Sequence, residues 1–134
     1  MVSFCRDCLA DVRDGSTRCA ACGSPRLAHH PELTRLAYEW ARAMAAKDKI
    51  DHGASPQLNK SLAAAGFNPK QTVENISAGY HTLAEAFSGW RDSPPHRANM
   101  LNAGANRLGI AAVYSPQSKY KVFWALIMAN KDSG

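Results

Sequence analysis

Beyond residue 22, this chain of 134 residues has no cysteine. No disulfide framework can hold the larger part together, so that part must rest on an ordinary apolar core. No apolar run reaches the roughly 18 residues a membrane-spanning helix needs. The opening MVSFCRDCLADVRDG has no basic segment followed by an apolar one. No secretory signal peptide is expected, and the chain as encoded reads as cytoplasmic. Basic runs are also missing. The net charge of +5 is thin, because residues 1–30 carry four Arg against three Asp and the rest carries twelve basic against eight acidic side chains. That is a weak footprint for nucleic acid and none for a membrane surface. No internal repeat or low-complexity segment occurs. With 46% apolar and 20% charged residues, the composition is that of a globular protein.

The cysteines that are present lie close together. Cys5, Cys8, Cys19 and Cys22 are spaced C-x2-C-x10-C-x2-C. Each C-x2-C pair suits a knuckle that puts two thiolates on one side of a tetrahedral metal. Gly15 and Gly23 suit the tight turns such a ribbon needs. A polar segment this short cannot hold itself together without a staple, so structural Zn2+ is the expected cofactor and its folding energy. Two disulfides or free thiols are the alternative. His29 and His30 read as linker residues, since four thiolates already close the shell. The expected division is a ribbon over 1–28, a linker over 29–32, a main domain over 33–130 and a tail over 131–134.

In the main domain, Leu33, Leu36, Ala37, Trp40 and Met44 recur at helical spacing and predict a helix over about 33–46. Trp40 and Met44 read as core. KDKIDHGASP is a loop carrying His52. Ser55 and Pro56 start a second helix that Gly66 stops. TVENISAG reads as a short strand bearing Glu74, a carboxylate that is costly to turn inward unless it is paired. Thr82 and Glu85 form a capping box for a helix over 82–91. In WRDSPPHRANML, Ser93 suits an N-cap, Pro94 the first helical position and His96 the first turn. RLGIAAVY and KYKVFWALIMAN read as an antiparallel hairpin across SPQS. The second strand is apolar on both faces, so helices are expected on each side of the sheet.

Taken in order, these pieces resemble the CAP superfamily, the cysteine-rich secretory, antigen 5 and pathogenesis-related 1 proteins, and within it the compact bacterial branch. The resemblance covers about residues 31–130. It rests on A-x-x-M-A (Ala41 to Ala45) ahead of His52, on ENIxxG (Glu74 to Gly79), on W-x-x-S-P-x-HRxNxL (Trp90 to Leu101), and on a Gly-containing strand followed by a last strand with Trp. It implies an α+β fold, an α-β-α sandwich. It also implies a cleft of His52, Glu74 and His96, with Asn75, Trp90, Arg97 and Asn99 as structural support. Ser93 stands where animal and plant members have a second acid, as it does in the bacterial branch. The family's usual first helix, with its N-x-x-R pattern, has no counterpart here. Its loss is expected to leave an apolar patch around Val122 and Trp124, which the ribbon or a partner covers or which leaves the domain truncated and marginal.

The leader FCRDCLADVRDGSTRCAACGSPRLAHHPEL resembles the zinc ribbon ahead of the catalytic domain in some bacterial Y-family DNA polymerases. That family continues with an apolar strand and a metal-binding Asp. Here TRLAYEWARAMAAKD follows, which is helical and lacks such an Asp, so polymerase activity is not carried over. The two resemblances differ in compartment, since CAP domains are mostly extracytoplasmic. A recombined gene joined at HPEL accounts for both. The expected function is a non-enzymatic CAP binding module for a lipid, a small apolar ligand or a protein partner. One alternative is a metal-dependent hydrolase with a divalent ion between His52 and His96 and Glu74 as base. Another is a zinc-ribbon adaptor for nucleic acid or protein, which the thin charge disfavours.

Overall fold

A computed structural model describes residues 3–4, 11–12, 28–51, 58–68, 72–102 and 105–130. The elements in chain order are β1 (Ser3–Phe4), β2 (Asp11–Val12), β3 (Ala28–His29), α1 (Pro31–Lys47), α2 (Leu58–Ala64), β4 (Val73–Ala78), α3 (Leu83–Asp92), α4 (Pro94–Met100), β5 (Arg107–Tyr114) and β6 (Val122–Ala129). Strands β1 and β2 form a separate antiparallel pair, and the remaining four form one sheet in the order β3-β5-β6-β4. Only β3 against β5 is parallel.

The central strand is β6, and all eight of its residues are buried. A strand apolar on both faces needs a layer on each, and the helices supply two. On one side Leu33, Leu36, Trp40 and Met44 of α1 and Leu58 and Leu62 of α2 pack on Phe123, Ala125 and Ile127. On the other, Ala86 and Trp90 of α3 and Met100 of α4 pack on Val122, Trp124, Leu126 and Met128. The fold is thus the expected α-β-α sandwich. The expected bare patch is corrected: Val122 is 8% and Trp124 7% exposed, because α3 and α4 cover that face from within the domain.

Helix α1 lies so close to β5 that a Cβ on Gly109 would run into the Leu33 carbonyl carbon and the Thr34 nitrogen. Only a residue with no side chain allows this approach. The helix starts earlier than its apolar stripe. Residues 29–32, expected as a linker, hold the second residue of β3, the N-cap and the first turn. His30 caps through Nδ1, which accepts from the Glu32 N–H at 3.2 Å, and its own N–H donates to the Leu108 carbonyl. Pro31 at the first helical position then turns the chain from strand into helix.

The capping box before α3 has both of its halves. The β5–β6 connection is longer than SPQS, because β6 begins at Val122 rather than Lys119. The Asp48 carboxylate takes the Lys119 N–H at 2.9 and 3.0 Å. Ser118 meanwhile donates to the Ser115 carbonyl and accepts from the Lys121 N–H. Those bonds occupy backbone that a longer strand would have needed. The expected start of α2 at Ser55 and Pro56 lies outside the described residues.

Candidate binding cleft at the edge of the sheet

Strand β4 is an edge strand, so every second residue turns its N–H and C=O away from the sheet. The Gly79 N–H reaches the Val122 carbonyl, which makes the odd-numbered residues the ones paired with β6. Glu74, Ile76 and Ala78 therefore face outward with their main chain. Two of their carbonyls are met by side chains. Asn99 Nδ2 donates to the Glu74 carbonyl at 3.1 Å, and Trp90 Nε1 donates to the Ile76 carbonyl at 3.4 Å. Beyond the strand, Trp124 Nε1 donates to the Tyr80 carbonyl at 2.7 Å.

Asn75 joins strand and helix from the other direction. It is 1% exposed, so its amide needs partners. Its Nδ2 donates to the His96 carbonyl at 3.0 Å, and its Oδ1 accepts from Asn99 Nδ2 at 3.0 Å. Both Asn residues thus bind α4 to β4 through main-chain groups. The motif ENI…HRxN is, physically, a clamp between an edge strand and a short helix that two prolines open.

Alternation along β4 separates its side chains. Ile76 and Ala78 pack with the α1 and α2 layer, while Val73 packs with the α3 and α4 layer. Glu74 shares the first side and Asn75 the second. The link from Glu74 to His96 runs through Asn75 and Asn99.

His96 is half-buried, and its Nδ1 lies 2.8 Å from Ser93 Oγ. Ser93 occupies the N-cap position of α4, as expected, but its hydroxyl makes no cap hydrogen bond. It engages the imidazole instead, a contact within one turn that the S-x-x-H spacing allows. Two tautomers fit this contact. If Ser93 donates, Nε2 carries the ring proton; if Ser93 accepts, Nε2 presents a lone pair. A carboxylate at this position would enforce the second. Arg97 is exposed, and its N–H donates to the Ser93 carbonyl.

His52, Cys5, Cys8, Cys19 and Cys22 lie outside the described residues. Among the described residues, no three His, Cys, Asp or Glu side chains gather where they could hold a metal ion. The structure thus brings Ser93, His96, Asn75, Asn99, Trp90 and the Glu74 main chain together. The indole bonds and the double use of the Asn99 amide were not foreseen. The signal for them was present: an edge strand flanked by Trp and Asn needs donors for its outward carbonyls.

The sequence model of the cysteine-rich secretory protein (CAP) family matches residues 6–128. The chain belongs to this family. Its fold is shared with an outer surface protein of Borrelia burgdorferi, at a TM-score of 0.66 and 19% identity over 79% of this chain and 78% of that one. An extracellular SCP-domain protein of Bacillus anthracis str. Ames gives a TM-score of 0.64 and 25% identity over 80% of this chain and 34% of that one. A 33-residue stretch, 25% of this CAP chain, is 67% identical to DNA polymerase IV of Mesorhizobium japonicum. This chain spans 8% of that polymerase, which fits the expected leader. Among the described residues no helix precedes Pro31, and none is long and apolar enough to cross a membrane.

Proposed function

We propose that this CAP domain is a non-enzymatic binding module, for a lipid, a small apolar ligand or a protein partner, with a structural zinc ribbon at its amino end. The observation that carries this is the Ser93 hydroxyl, 2.8 Å from His96 Nδ1, at the position of the second acid in animal and plant relatives. A hydroxyl leaves the cleft one carboxylate short of an acid–base pair. Nor is Ser93–His96 a nucleophilic dyad. The helix behind Ser93 opens with Pro94 and Pro95, which have no N–H, and the Arg97 N–H is already bound to the Ser93 carbonyl. No pair of free amides stands there to stabilise an oxyanion.

The zinc reading rests on the C-x2-C-x10-C-x2-C spacing. Cys5 and Cys8 lie in the connection between β1 and β2, whose antiparallel register pairs Phe4 with Asp11. A C-x2-C in such a connection is a natural knuckle, and four thiolates form a closed tetrahedral set that supplies folding energy. Metal content per chain separates the readings. One zinc, lost from a Cys5→Ser/Cys19→Ser variant and kept by His52→Ala/His96→Ala, is the expected outcome. Two zincs, one of them lost with the histidines, would revive the hydrolase built on His52, Glu74 and His96.

A further inference from the structure

We propose that two copies of this chain associate edge to edge through β5, joining their four-stranded sheets into one. Strand β5 lies between β6 and β3, but β3 has only two residues and pairs at Arg107 and Leu108. Pro31 then takes the chain away into α1. The Leu108 carbonyl accepts from the His30 N–H, which makes Leu108 an outward-facing residue of β5. By alternation Ile110, Ala112 and Tyr114 face outward as well. Among the described residues, no strand lies along that side of them.

The two edges of the sheet are treated differently. On β4, Asn99 and Trp90 meet the outward carbonyls. On β5, past Leu108, no side chain does so among the described residues, and up to Tyr114 neither charge nor proline guards the strand. Leu108 to Ser118 carry no charged residue. The first guard is Pro116, the next outward position after Tyr114, which has no N–H to offer. Among the described residues the open edge is therefore short and bounded at both ends, by β3 and by Pro116.

That length suits a second copy of itself. In an antiparallel pairing with the two-fold axis at Ala112, Ala112 faces its own copy and Ile110 faces Tyr114 of the partner. Every outward N–H and C=O of the three residues then finds a mate. All three side chains lie on the α3 and α4 face of the sheet. Tyr114, at 69% the most exposed large apolar side chain among the described residues, would lie beside the partner's Ile110. Aromatic with β-branched is a favourable cross-strand pair, and no like charges oppose each other in this register.

Sedimentation of the full chain over a concentration series tests this, with Ala112→Lys and Ala112→Glu as variants. The Ala112 side chain is exposed, so either substitution should leave the melting profile of the monomer in place. Across the axis each variant sets like charges opposite one another, roughly 5.5 Å apart at Cα. Self-association of each alone should weaken by roughly two- to fivefold. An equal mixture of the two should restore it as a heterodimer. A wild-type chain that stays monomeric would overturn the proposal. So would a dimer that neither variant weakens, or a mixture that stays apart.

Discussion

The two helical layers of this domain do different work on the same sheet. Under α1 and α2 the contacts are apolar and close, down to backbone against backbone at Gly109. Under α3 and α4 the centre is equally apolar, but the margin at β4 is a polar network of Asn75, Asn99, Trp90 and the His96 carbonyl. The first layer contributes stability. The second contributes stability and also fixes where His96 stands. Main-chain carbonyls accept the bonds of this network, and the Asn75, Asn99 and Trp90 side chains are occupied in holding strand and helix together.

Two glycines break the comparison most sharply. Gly109→Ala would push a methyl group into the Leu33 carbonyl and the Thr34 nitrogen, and helix backbone cannot swing aside. The expected loss is about 2–4 kcal/mol, at the upper end of overpacking effects. Gly89→Ala on α3 also meets atoms too close, but these are the hydroxyl, Cζ and Cε2 of Tyr80, the outer part of a side-chain ring. Tyr80 can move, and alanine gains about 1 kcal/mol of helix propensity. Chemical denaturation of both variants should show a large loss for the first and little change for the second. Equal losses would mean that the two layers are equally rigid.

Much of this was legible beforehand, for physical reasons that differ by element. The stripe Leu33, Leu36, Ala37, Trp40, Met44 is periodic, so α1 was plain. T-x-x-E carries its own local hydrogen bonds, so the start of α3 was plain too. The doubly apolar run from Val122 announced a central strand. What could not be read was any feature set by residues far apart. The role of His30 depends on β3 meeting β5, across nearly eighty positions. The start of β6 depends on Asp48 reaching Lys119. The covering of Val122 and Trp124 followed from how α3 and α4 fold back, whereas comparison with the family's usual first helix pointed to an uncovered face. In the cleft, motif order named the residues, but the Ser93–His96 contact needed coordinates.

The amide clamp gives the middle-sized effect. Asn75→Ala takes one donor from the His96 carbonyl and one acceptor from the Asn99 amide, two hydrogen bonds together worth about 1–3 kcal/mol. Asn99→Ala removes donors from Asn75 and from the Glu74 carbonyl. Because the two amides share a bond, the double variant should lose less than the sum, by roughly 0.5–1.5 kcal/mol. NMR of the His96 ring in the single variants should show it reoriented, while signals from Trp40 under α1 stay in place. Strict additivity would mean that no clamp joins strand and helix.

The smallest effect lies on the solvent side of the apolar layer and calibrates the rest. Arg35 hydrogen-bonds Glu32 and, at 2.6 Å, Glu39, one turn apart along α1. The hydrogen bond from Arg35 lowers the Glu32 pKa below its usual 4.5. A depressed carboxylate contributes stability that is present above the unfolded value and lost as pH falls through the folded one. Stability should therefore decline as pH drops from about 4.5, and Arg35→Gln should flatten that part of the profile. Both groups are solvated, so the change must be small and shrink further with added salt. A large acid-range effect from Arg35→Gln would show that this pair, which lies within α1, stabilises the helix far more than a solvated ion pair should.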